Sequence, residues 1–142
     1  FTRYLAGFAD YTVCYYSPRL KNTTHAHQLA MAVVSFSPLQ SVFWYDKPAD
    51  YHDEPEIEFF QHVPTVWDDT KVIAGEIGQY AAIARRRGDE WFVGVINDDE
   101  PRALNLSLAF LDPGRKYTAH SYADDPSVPT RTHVAGTTRG VE

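Results

Sequence analysis

Four residues of this sequence combine a type and a position that suit contact with a polar ligand: Asp10, His27, Trp44 and Asp46. Asp10 stands in "ADYT", where a carboxylate either meets a substrate or caps the backbone amides of a turn. His25 and His27 lie two residues apart, a spacing that does not put both imidazoles on one helix face. A zinc pair is therefore not expected, and His27 is the candidate for hydrogen bonding. Trp44 and Asp46 close the apolar run "LQSVFWYD", one offering a stacking surface and the other a carboxylate. Acidic residues then crowd "YDKPADYHDEPEIE". All of them except Asp46 read as a solvated loop and a charged helix start. Trp91 reads as core, and the triplet Arg85 to Arg87 as a solvated turn.

Positioning these groups falls to two unlike halves. In the first, Thr24 is a reasonable helix N-cap. Leu29, Val33 and Phe36 follow on one face at helical spacing. Ser37–Pro38 stops the helix, because the residue before proline is pushed out of the α region. "LQSVFWYD" is then a short apolar run that suits a strand covered on both faces. "EPEIEFFQHV" reads as a second helix with Pro55 near its first position and acidic residues in its first turn. The half from about residue 65 alternates with period two. "QYAAIARRR" and "EWFVGVIN" flank the turn signal Gly88–Asp89. "RALNLSLAFL" would place Leu104, Leu106, Leu108 and Phe110 inward, and "KYTAHSYAD" alternates again. Residues from about 125 read as an irregular edge or tail.

At 142 residues the chain matches one average domain, and 44% apolar content is ample for a core. The net charge of −6 and the absence of a long basic run argue against nucleic acid as a partner. No apolar run is long enough for a membrane span. A single cysteine excludes an internal disulfide framework and a Cys-based zinc site. The sequence begins at Phe1 in mid-pattern, so a piece of a longer polypeptide is expected.

"FTRYLAGFADYT", "THAHQLA" with "VVSFSPLQ", "VPTVWDDTK", "IARRRGDEWFVG" and "LNLSLAFL" occur in an order that resembles the C-terminal part of glycoside hydrolase family 97, over about residues 1 to 123. The resemblance implies a fold: the α/β end of a TIM-type barrel, its last βα units, over residues 1–64, then an antiparallel, β-sandwich-like all-β C-terminal domain over 65–142. It implies hydrolysis of α-linked glycosides in the whole protein, with an oligo- or disaccharide as substrate and the N-terminal remainder of the parent as partner. Calcium is a cofactor of the family, and a periplasmic or secreted location is suggested. Inverting members carry Glu where this chain has Met31 and Phe36, which turns the expectation toward a retaining, α-galactosidase-like enzyme. Nucleophile and acid/base would lie upstream of Phe1, leaving no catalytic residue and no metal ligand here. Asp10, His27, Trp44 and Asp46 remain as substrate contacts. The alternative is a non-catalytic carbohydrate-binding or structural β-domain, recognisable by aromatics exposed in a row.

Overall fold

The computed structural model describes residues 7–8, 10–14, 23–43 and 47–141. Strand β1 (Tyr11–Cys14) is followed by helix α1 (His25–Val34) and strand β2 (Gln40–Phe43), which pairs with β1 in parallel. A parallel pair needs a crossover, and α1 supplies it. A 3₁₀ turn (Pro48–Asp50) and the short helix α2 (Ile57–His62) lead to the second half. There β3 (Asp69–Glu76), β4 (Tyr80–Arg87) and β5 (Glu90–Asn97) form an antiparallel sheet in sequence order. Strands β6 (Tyr117–Asp124) and β7 (Val134–Val141) form an antiparallel pair. The described architecture is thus dominated by antiparallel sheets.

Helix α1 begins at the expected cap: Thr24 Oγ1 accepts from the His27 amide at 3.3 Å. It ends at Ser35, so Phe36 lies outside it and is 37% exposed. Leu29, Ala32, Val33 and Val34 are its buried residues. Helix α2 is shorter than its sequence signal. Glu56 occupies the cap position, Pro55 sits outside, and Val63 closes the helix through Phe59 O before Pro64. Glu54 and Glu56 are buried, not solvated, and Glu54 accepts from the His52 amide at 2.8 Å. The β4–β5 hairpin turns where expected, with Gly88 at φ 57°, a left-handed value that glycine adopts without steric cost. Asp68 pins that turn, accepting from the Gly88 amide at 2.7 Å and from Arg87 at 2.9 Å.

Three further expectations are corrected. Residues 101–108 carry no strand, and the inward alternation stops early: Leu104 and Leu106 are half-buried while Leu108 is exposed. Side-chain alternation alone does not create a partner for the backbone. Conversely, the Thr- and Gly-rich end pairs with β6 along its whole length. Its partner is distant in sequence, so local composition could not announce it. Strand β2 is exposed from Ser41 to Phe43 rather than covered on both faces.

The core joins both halves. Val13 of β1, Leu29 of α1 and Val134 of β7 are buried together, with Phe59, Phe60 and Tyr122 packed on them. Gly94 of β5 meets the other part of α1. A Cβ added there would lie 2.8 Å from Ala30 O, 2.9 Å from Val33 Cβ and 2.9 Å from Val34 Cγ2. The absent side chain lets helix and sheet backbones approach closely.

Candidate functional site

In sheets built from parallel strands and crossover helices, ligands bind beyond the carboxyl ends of the strands. Here those ends are Cys14 and Phe43, and connectivity brings the N-terminus of α1 to the same end. Its first turn carries Thr24, His25 and His27. Strand β6 reaches across to hold it. Thr24 Oγ1 donates to Asp124 Oδ2 at 2.6 Å, and the Ala26 amide donates to Asp124 Oδ1 at 3.1 Å. A carboxylate at this position satisfies amides that have no partner within the helix and meets the positive end of the helix dipole.

His27 is half-buried. Burial lowers its imidazole pKa, against the opposing pull of the Asp124 carboxylate. A neutral imidazole can donate from one nitrogen and accept at the other, which suits a ligand hydroxyl. The depressed pKa fixes a sign. The unfolded chain takes up a proton near pH 6.5, before the folded chain does, so acid favours unfolding. Stability carried by His27 is expected to be present above about pH 6.5 and lost as pH falls toward the lower folded value. Denaturant midpoints of the native chain and His27→Gln, compared across that window, check it: the variant's curve should be flatter.

The remaining sequence candidates separate. Trp44 and Asp46 lie outside the described residues. Asp10 is exposed and opens β1 instead of following a strand's carboxyl end. It therefore stands at the other end of the parallel pair from His27. Phe36 shares that other end, after α1 and before β2, and packs edge-to-face on Phe8 with centroids 4.8 Å apart.

Sequence reasoning missed Arg85. It is 6% exposed, not solvated. Its Nε donates to Val33 O at 2.6 Å, Nη2 to Val34 O at 3.2 Å and Nη1 to Thr70 Oγ1 at 2.9 Å. The guanidinium also lies 5.1 Å from the Phe36 ring centroid and 6.0 Å from that of Trp67. Burial lowers its pKa, yet an arginine keeps its charge. A cation thus meets the negative end of the same helix whose positive end meets Asp124. A signal existed: in the alternation of β4, Arg85 shares a face with Ile83, which is buried.

Among the described residues no group of three or more His, Cys, Asp or Glu converges as a metal cage. No described helix is long and apolar enough to cross a membrane.

The fold described above is similar to that of glycoside hydrolases of known structure. A glycoside hydrolase family 97 enzyme from Pseudoalteromonas sp. strain K8, solved in complex with acarbose, superposes over 98% of this chain with TM-score 0.75 and 29% identity. A complex of such an enzyme from that strain with panose matches 84% of the chain with TM-score 0.70 and 30% identity. The retaining alpha-galactosidase of Bacteroides thetaiotaomicron is 38% identical over 120 residues. That match covers 84% of this chain and 18% of the relative, and the Pseudoalteromonas matches cover 20% and 24% of theirs. Residues 66–142 match the family described as glycosyl-hydrolase 97 C-terminal, oligomerisation. The chain belongs to glycoside hydrolase family 97.

Proposed function

We propose that this chain supplies the last βα units of a TIM-type barrel, over residues 1–64, and the C-terminal β-domain of an α-glycoside hydrolase. The observation that carries the reading is the parallel β1–α1–β2 unit held by Arg85 and Asp124. A crossover helix in a barrel has one face on the strands and one facing outward. Here the outward face is covered by β5. The exposed side chains of β2, Val42 and Phe43, are those that neighbouring barrel elements would cover. The substrate is an α-linked oligo- or disaccharide, in keeping with panose and acarbose in the related structures. The retaining, α-galactoside-directed form of the reaction is favoured by the relative at 38% identity. His27 contacts a sugar hydroxyl, with Trp44 and Asp46 following the carboxyl end of β2. The β-domain positions α1 and takes no part in bond breaking.

A graft tests this. Residues 1–142 replace the matching segment of the Bacteroides enzyme, and hydrolysis of p-nitrophenyl α-galactoside and α-glucoside is measured. The expected result is α-galactosidase activity within about tenfold of the parent, one unit of 1.4 kcal/mol in the barrier. A folded graft without activity on either glycoside would sink the reading. The isolated chain is expected to turn over neither.

A further inference from the structure

We infer that the β-domain carries a second carbohydrate site, on the face of the β3–β4–β5 sheet turned away from α1. Cross-strand register puts Asp69, Arg86 and Trp91 side by side on one face. Arg85, one residue earlier, points the other way, into the α1 contact. On the outer face a cleft of about 390 Å³ opens between the sheet and the turn after Phe110, within the size range of small-ligand sites. The rings of Trp91 and Phe110 belong to its lining, with centroids 4.9 Å apart, and the Arg86 guanidinium lies 6.0 Å from the Trp91 ring centroid. Both residues are half-buried.

The charges of the rim choose the ligand. Lys71, Arg86 and Arg115 oppose Asp69, Asp89 and Asp112, so the lining is neutral in sum. The pairs are already made: Lys71 with Asp69 at 3.2 Å, Arg115 with Asp89 at 3.1 Å and with Asp112 at 4.0 Å. Arg86 donates to Gly88 O at 2.9 Å. No excess positive charge awaits a phosphate, and each carboxylate of an ion pair faces a cation that would compete with a metal. What remains is an alternation of donors and acceptors beside two half-buried aromatic residues. A hydroxyl both donates and accepts, and a pyranose presents several around an apolar C–H face. A neutral oligosaccharide fits this description, whereas a nucleotide or a divalent cation does not. The site depends on the β-domain alone and stands whether or not residues 1–64 complete a barrel.

Titration of the isotopically labelled chain with raffinose and with maltotriose, followed by amide and indole resonances, tests it. Shifts are expected to cluster at residues 86–91 and 110–115, with Kd near about 1 mM. Inorganic phosphate at equal concentration should leave them in place. Trp91→Ala should weaken binding by about tenfold or more through loss of the stacking surface. Should that variant unfold, Arg115→Ala at the exposed rim should weaken binding while preserving the fold. Absence of saturable shifts at tens of millimolar of either sugar, on the order of ten times that Kd, overturns the proposal. So do shifts confined to other surfaces, or equal shifts with phosphate.

Discussion

Arg85→Met is expected to lower the stability of the chain by about 3 kcal/mol, among the largest effects of any single substitution here. The stem of the side chain and its packing survive. The charged donors do not, and Val33 O and Val34 O lose the hydrogen bonds they accept at 2.6 and 3.2 Å. Hydrogen bonds to a charged group each contribute about 1.5–3 kcal/mol, and a buried acceptor left unmade costs about 1–3 kcal/mol. A buried ion pair can be replaced by apolar side chains at little cost when both partners go. Here the acceptors are backbone carbonyls at a helix end and cannot be removed, so the loss dominates. Arg85→Lys should recover only a part, because an ammonium does not present the fork that spans two carbonyls and the Thr70 hydroxyl. Urea midpoints of the three proteins at one pH give the comparison. Equal midpoints for native and Met forms would show that the contact contributes nothing net.

Gly94→Ala should cost about 2–3 kcal/mol by overpacking. One methyl group is enough, since its carbon would sit 2.8 Å from the Ala30 carbonyl oxygen and 2.9 Å from two valine carbons. A main-chain carbonyl in a helix cannot swing aside, so α1 must lift from β5 or the sheet must bend. The added β-propensity of alanine over glycine, at most about 1 kcal/mol, is too small to offset this. By contrast Gly140→Ala, where a Cβ meets nothing within 4 Å, should be close to neutral. A thermal melt in which both variants match the native chain would place α1 farther from β5 than described.

Much of the local structure was legible. The Thr24 cap, the Gly88 turn and the alternating β4 and β5 are written in adjacent residues, and each forms as expected. What stayed hidden depends on pairing across the chain. Arg85 looks solvated in "ARRR" because its partners, Val33 and Val34, are about fifty residues away. Glu54 and Glu56 look like loop charges until the fold buries them. Strand β7 looks like a tail until β6 supplies its ladder. Of the site, His27 could be picked out by type and position. Its neighbour Asp124 could not, since nothing local relates residue 124 to a helix that starts at residue 25.

Helix α1 and the antiparallel strands are expected to form one cooperative unit, with Arg85 and Asp124 at the two ends of the helix and Gly94 beneath it. Native-state hydrogen exchange on the chain measures this cooperativity. The amides of Leu29 to Val34 should exchange with the same opening free energy as those of Ala82 to Ala84 in β4, and Arg85→Met should lower both together. Amides of α1 that exchange freely while β4 stays fully protected would contradict it.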